Sequence, residues 1–217
     1  MSTYENEIKH QLNKYGDVQN IMPYFNFENL KAKHISLQTN KATGVDNVTK
    51  AQYNINLDTN ILELVKLIKE KAYNPKPVRR VFIPKLIGGK RPLGIPTYRD
   101  KLVQSLMAEI LNIVYEPIFL DCSFGFRKNL TCHSALSEIT HIIANNDINY
   151  IVEADIRHFF DEVNHTKLIN MLQQKIKDRN FVYYIKKFLK AGVMENGVKL
   201  KTRYGTPQGR VNFTYIS

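Results

Sequence analysis

The chain has 217 residues, 43% of them hydrophobic, and carries 31 Lys+Arg against 20 Asp+Glu for a net charge of +11. That is enough apolar side chain for one large domain or two small ones. The cationic excess, with a pI ≈ 9.5, favours a polyanionic partner, whose condensed counterions are released on association. Several classes are excluded: no apolar run approaches the ~20 residues of a spanning helix, Met1 to Glu7 is polar and lacks a signal-peptide core, and the two cysteines and six histidines show no metal-ligand spacing. The expectation is a cytoplasmic protein with no membrane partner.

In chain order, residues 4–20 and 27–38 read as short helices with mixed faces. Thr43-Gly44-Val45-Asp46 reads as a turn. Asp58 is expected to cap a helix in which Ile61, Leu62, Leu64, Val65, Leu67 and Ile68 recur at helical spacing, ended by Asn74-Pro75-Lys76-Pro77. Arg80-Val81-Phe82-Ile83 and Arg91-Pro92-Leu93-Gly94-Ile95 flank Gly88-Gly89 and predict a hairpin. A long helix follows from Tyr98 to about Ile118, with Leu102, Val103, Leu106, Met107, Ile110, Leu111 and Val114 as its buried stripe. A helix over about 132–145 leads to a strand (Tyr150, Ile151, Val152) that ends at Asp155. Two helices near 165–176 and 180–191 and a small hairpin from Gly192 to Val198 complete the reading. Helices grouped around small antiparallel sheets make the fold class α+β.

Three segments carry chemistry. Between Lys76 and Lys101 stand Lys76, Arg79, Arg80, Lys85, Lys90, Arg91, Arg99 and Lys101 against a single acid, Asp100. Such a hairpin is relieved of its self-repulsion by a bound polyphosphate, with lysine as a point charge and arginine as a planar fork. It also reads as a solvated basic edge that deters sheet-to-sheet pairing. Asp155 closes a core-type strand, where a carboxylate is held rigidly and still faces a cleft, the placement that metal-assisted phosphate chemistry needs. An acid there is also an ordinary helix cap. Phe159 and Phe160 read as core, Asp161 as a cap or surface acid, and Glu153 as facing away from Val152. Gly205-Thr206-Pro207-Gln208-Gly209 is a turn whose glycines admit a close backbone or base and whose Gln208 can donate and accept. It is not a P-loop, since no Gly-Lys-Ser/Thr follows.

Together these segments resemble the reverse transcriptases encoded by bacterial group II introns, the intron maturase family, over roughly residues 25–209. The resemblance rests on Lys41-Ala-Thr-Gly-Val-Asp46, Pro77-Val-Arg-Arg-Val-Phe-Ile-Pro-Lys85, Lys90-Arg-Pro-Leu-Gly-Ile-Pro-Thr97, Ser123-Phe-Gly-Phe-Arg127, Glu153-Ala-Asp-Ile-Arg-His-Phe-Phe-Asp161 and Gly205-Thr-Pro-Gln-Gly209, in the family's order and spacing. It implies the fingers and part of the palm of a right-hand polymerase: an N-terminal extension and fingers over 1–96, partial palm over 97–163, a second fingers segment over 164–209 and a divergent tail over 210–217. It implies that Asp155, helped by the backbone carbonyl of Ile156, binds Mg²⁺ (with Mn²⁺ as a substitute). Lys85 and Arg91 would hold the triphosphate of a dNTP, Phe160 would lie under its sugar and reject a 2′-hydroxyl, and Gln208 would touch the nascent pair. Arg79 and Arg80 would touch phosphate or template RNA, Gly209 would contact the template, and Arg127 would be structural or template-facing. Partners are then intron or template RNA, a DNA primer and dNTP, with a homodimer as a further expectation. Asp155 is expected to share one cavity with Lys85 and Arg91.

The chain departs from the family after Gly209. Arg210-Val-Asn-Phe-Thr-Tyr-Ile-Ser217 stands where the family has a second glycine and a Ser-Pro helix start, and the sequence holds no Tyr-Ala-Asp-Asp, the family's source of further metal-binding acids. Lys128 stands where a proline is common. These departures suggest a truncated or frameshifted reading frame and a polypeptide that extends no primer alone. A non-catalytic module that grips structured intron RNA is the alternative, and a poorly folding relic, aggregating or dimerising through an open palm face, a third. A relative among diversity-generating or defence reverse transcriptases fits the Lys90–Thr97 block less well.

Overall fold

The computed structural model describes residues 3–39, 41–84, 88–202 and 204–206. The element order is α1 (Thr3–Tyr15), a 3₁₀ turn (Met22–Tyr24), α2 (Phe27–Ser36), α3 (Lys50–Ile55), α4 (Leu57–Lys69), β1 (Val78–Pro84), β2 (Lys90–Ile95), α5 (Tyr98–Tyr115), a 3₁₀ turn (Glu116–Ile118), α6 (Cys132–Asn145), α7 (Phe159–Glu162), α8 (His165–Lys175), α9 (Arg179–Lys190), β3 (Val193–Glu195) and β4 (Val198–Leu200).

The core is helical and centred on α5. All seven residues of its predicted stripe, Leu102 to Val114, are buried, and α1 and α2 pack against it, with α4 on α2. The helix starts where Thr97 accepts from Asp100 N, a side-chain N-cap that satisfies one of the otherwise orphaned donors. Asp100 is itself buried. Its carboxylate accepts from Tyr73 OH, from Thr97 Oγ1 at 2.7 Å and from Lys76 N at 3.2 Å, and burial pushes its pKa up. This acid therefore ties the end of the α4 segment, the root of β1 and the start of α5 together.

A second carboxylate staples the chain over a longer range. Asp178 caps α9 through Oδ1, which accepts from Asn180 N and Phe181 N, while Oδ2 accepts from Ile21 N at 2.7 Å and Met22 N at 3.0 Å. Beside it, Val18 bridges Ile176 in parallel. The helix after residue 56 is capped differently from expectation: its N-cap is Asn56, and Asp58 sits in its first turn, where a negative charge favours the positive end of the helix dipole. Helix α3, preceded by a Thr49–Gln52 capping box, has no apolar repeat that would predict it.

The two hairpins share one sheet of order β2-β1-β3-β4. β1 pairs with β2 antiparallel and with β3 in parallel, Val78 with Val193 and Arg79 with Met194. One edge of the sheet thus comes from the segment around residue 90 and the other from residues near 200.

The strand expected before Asp155 is absent. Residues 147–156 have no regular structure and no ladder partner among the described residues, and Tyr150, Ile151 and Val152 are 89%, 75% and 90% exposed. A strand exists only where its N–H and C=O groups are paired, and no described strand lies alongside. Helix α6 forms as expected but buries none of its residues.

Candidate functional site

The register of the first hairpin sets which cations can act together. Arg79 lies opposite Ile95, Arg80 opposite Gly94 and Ile83 opposite Arg91. Successive side chains on a strand face opposite ways, so Arg79 and Arg80 belong to opposite faces rather than forming a basic pair. Arg79 points at the 41–46 turn and donates twice to Thr43 O, at 2.9 and 2.7 Å. Lys101 Nζ donates to Ala42 O at 2.6 Å, and Gly44 lies so close to Pro96 and Thr97 that an added Cβ would stand 2.6 Å from Thr97 Cα. The Lys41–Asp46 motif is thereby clamped to the base of the hairpin. Arg99 pairs with Glu63 at 3.0 Å. The side chains of Lys76, Lys90 and Arg91 make no ion pair among the described residues; Lys90 and Arg91 open β2, and Lys76 stands at the root of β1. Lys85 lies outside the described residues.

Arg80 faces the other way, into a cleft. It stands 3.8 Å from Glu195 on β3 and lines a cavity of about 70 Å³ with Lys76, Asp161, Tyr204, Gly205 and Thr206. The far wall is the docked junction of two motifs. Thr206 N donates to Phe160 O at 2.8 Å, Gly205 N to Val163 O at 2.9 Å, and His165 Nε2 donates to Gly205 O at 2.7 Å. Gly205 sits at φ +82, and a Cβ there would meet Asp161 O at 2.8 Å and Phe160 O at 2.9 Å. Only glycine suits both the backbone angle and the approach. Gln208 and Gly209, further along this loop, lie outside the described residues.

Phe160 is half-buried, with Phe126 and Phe159 edge-on to it at ring distances of 6.2 and 5.4 Å. A ring held from two sides makes a stiff wall. Arg127 plays a structural part. It pairs with Glu116 at 2.9 Å, donates to Leu120 O and Ser123 O and lies over the Phe119 ring. It folds the 119–127 loop that presents Phe126, and its guanidinium is engaged by the protein itself.

Asp155 and Ile156 do not join this cleft. Both are exposed, and the Arg80–Asp161 cavity is lined by neither Asp155 nor Arg91. The expected cavity shared by Asp155, Lys85 and Arg91 is thus not formed by the described residues, because the segment that should hold Asp155 is not fixed in a sheet. Among the described residues no group of three or more His, Cys, Asp and Glu side chains gathers as a metal site. One carboxylate and one backbone carbonyl do not hold two divalent ions.

Sequence reasoning misses Phe126, His165 and Glu195. Phe126 is visible inside the Ser123–Arg127 motif, but nothing in the spacing sets it against Phe160. His165 follows a helix-capping Asn164 and gives no sign of a partner forty residues on. Glu195 sits in a three-residue strand whose placement depends on the parallel pairing.

The sequence matches the family Reverse transcriptase (RNA-dependent DNA polymerase) over residues 75–216. It is 44% identical over 152 residues to the Group II intron-encoded protein LtrA of Lactococcus lactis subsp. cremoris, covering 70% of this chain and 25% of that protein. It is 39% identical over 170 residues to the Putative COX1/OXI3 intron 2 protein of Saccharomyces cerevisiae, covering 76% and 20%, and 32% identical over 186 residues to Protein YkfC of Escherichia coli, covering 83% and 49%. The chain thus spans half or less of the length of these relatives. The fold resembles a chain of a solved Cas6-RT-Cas1--Cas2 complex with a TM-score of 0.56 at 19% identity, covering 88% of this chain and 20% of that one. With the six motifs in order and the family match running over residues 75–216, the chain belongs to the reverse transcriptase family.

Proposed function

We propose that this chain is the fingers and first palm segment of an RNA-directed DNA polymerase of group II intron type, working on intron template RNA, a DNA primer and dNTPs. The observation that carries the reading is the docking of Gly205-Thr206 onto Phe160, with Arg80 lining the same cleft. It joins the sugar-gate motif to the loop that would touch the nascent pair. Lys85 and Arg91 would take the triphosphate, Gln208 and Gly209 the base pair, and Phe160, stiffened by Phe126, would exclude a 2′-hydroxyl. Mg²⁺ would sit on Asp155 with the Ile156 carbonyl once further carboxylates are supplied; bound there, it would stabilise charge on the transferring phosphate.

A second reading is favoured by the exposed Asp155 carboxylate, which no acid cluster joins among the described residues: the 217-residue polypeptide by itself grips structured RNA without chemistry. Both readings are tested by RNA binding and primer extension on one preparation. Binding that falls steeply with salt, and that survives Asp155→Ala but weakens when Lys85, Lys90 and Arg91 become Ala together, is expected. Absence of RNA binding at low salt would sink both. Mg²⁺-dependent extension above the Asp155→Ala background would remove the second.

A further inference from the structure

The cavity that Arg80 lines lies inside the fold. Its walls are the face of β1 that carries Lys76, Val78 and Arg80 at period two, helix α5, the turn after α9 and the docked Gly205-Thr206 loop. Two of its polar side chains are buried without a partner. Gln104, on α5, and Thr206 are each 6% exposed, and neither the Gln104 amide nor the Thr206 hydroxyl makes a hydrogen bond among the described residues. A buried donor left unpaired carries its full desolvation cost, so both groups require a partner within the cavity. The two cations on the same wall are also uncommitted. The Lys76 ammonium has no partner among the described residues. Arg80 meets Glu195 only through Nε, at 3.8 Å, which leaves its terminal nitrogens open. Among the described residues the one carboxylate on the wall is Asp161, whose Oδ2 lies 3.7 Å from His158 Nδ1. Two cations therefore stand against one anion.

We propose that this cavity binds a single tetrahedral oxyanion, a phosphate group. Four donors from four segments line it: the Lys76 ammonium at the root of β1, the Arg80 guanidinium on β1, the Gln104 amide on α5 and the Thr206 hydroxyl on the loop. Lysine supplies a point charge and arginine a fork for two oxygens, and the two neutral donors take the oxygens that remain. Val78, Phe188 and Val193 make the rest of the wall apolar, which strengthens each polar contact inside it. The size agrees. The volume is about 70 Å³, room for about five water-sized groups at ~10–15 Å³ each. That suits a central atom with its oxygens and is too small for a nucleoside, so the site takes phosphate without reading base or sugar. Lys76 and Tyr204 are exposed and mark the side by which the ligand enters. Free phosphate and a phosphodiester of single-stranded RNA present the same oxyanion there. Arg80 as a phosphate contact follows from the family resemblance; an enclosed site completed by Gln104 from the core helix and Lys76 from the strand root does not. The walls are this chain's own segments, and the site does not rest on the polymerase reading: a chain that extends no primer can still bind phosphate, and a chain that binds none can still be a polymerase fragment.

The test is the urea midpoint of the whole 217-residue chain, read by circular dichroism, with inorganic phosphate titrated against chloride at constant ionic strength. A ligand that binds only the folded state stabilises it by mass action, so the midpoint should rise with phosphate and saturate. Gln104→Leu removes the unpaired amide at similar size. Without phosphate its midpoint should be unchanged or higher, and its phosphate affinity should fall on the order of tenfold. Arg80→Gln should weaken binding further, and Gln104→Glu, which adds a carboxylate to the cavity, should abolish it. A second arm measures the affinity for a short fluorescent single-stranded oligoribonucleotide. If Gln104→Leu weakens RNA binding, the occupant is a backbone phosphate; if it weakens only the response to inorganic phosphate, the occupant is the free ion. Either result sustains the site. If Gln104→Leu is too unstable to titrate, Thr206→Val, which removes the other unpaired donor, decides by the same criteria. Equal behaviour of wild type and variant in both arms would leave only a water-filled cavity and a general salt effect, and would overturn the proposal.

Discussion

Replacing Gly205 by alanine tests whether the two motifs that wall the cleft are locked together. Three hydrogen bonds hold the loop: Gly205 N to Val163 O, Thr206 N to Phe160 O and His165 Nε2 to Gly205 O. At ~1 kcal/mol each they contribute about 3 kcal/mol. An alanine at φ +82 costs ~1–2 kcal/mol from backbone conformation alone. Its Cβ would also press on Asp161 O at 2.8 Å and Phe160 O at 2.9 Å, backbone atoms with no rotamer to move into. Strain and overlap together match or exceed what the bonds return, so the variant is expected to release the loop while the α5 core stays folded. Amide hydrogen exchange reads this directly. Thr206, buried at 6% exposure with its N–H on Phe160 O, should lose protection by a factor on the order of 100, equivalent to ~3 kcal/mol, with the Leu106 and Met107 amides unaffected. Equal Thr206 protection in both proteins would refute the reasoning.

Other perturbations reach the scaffold. Asp100→Ala strands Tyr73 OH and Thr97 Oγ1 in a buried setting and frees the partly buried Lys76 N, and should cost about 3 kcal/mol, read as a shift in the urea midpoint at constant slope. Asp178→Ala removes the acceptor of four backbone N–H groups and should cost about 2 kcal/mol, with exchange rising at both Met22 and Phe181. His34 is held below its ordinary pKa by burial, with its ring between Asn54 Oδ1 and Tyr98 OH. The unfolded state therefore takes up a proton first, and stability is lost as pH falls below ~6.5, by up to ~1.4 kcal/mol per pH unit until the folded form titrates. His34→Gln should flatten that dependence in urea titrations between neutral and mildly acidic pH. Changing Lys90 and Arg91 to Ala should lower the salt slope of RNA binding by about 1.5, at ~0.7 per phosphate contact on a single strand; an unchanged slope would place the RNA elsewhere.

The sequence is most legible where local pattern and burial agree. The α5 stripe recurs at helical spacing and all of it is buried, and Gly88-Gly89 between apolar alternations announces the first hairpin. What escapes depends on distant partners. The period-two pattern of 148–156 is strand-like, but a strand forms only with a neighbour, and none of the described residues supplies one. Arg79 and Arg80 look like a basic pair because they are adjacent, although alternation along β1 sends one to the Thr43 carbonyl and the other to the cleft. The motif order reveals the family, while the geometry of the cleft rests on contacts such as His165 to Gly205 and Phe126 to Phe160 that no spacing encodes.

The parallel pairing of Val78 with Val193 has a consequence for how the protein is made. The first hairpin leaves the ribosome with one side of β1 unsatisfied, and its neighbour is translated only after α5 to α9. At ~5–20 residues per second that wait is on the order of ten seconds, during which a basic, half-finished sheet is exposed to the cellular RNA pool and to other nascent chains. Closure of so distant a contact is intrinsically slow, so correct assembly is governed by how well the early helices around α5 shelter that open edge until the last two strands arrive.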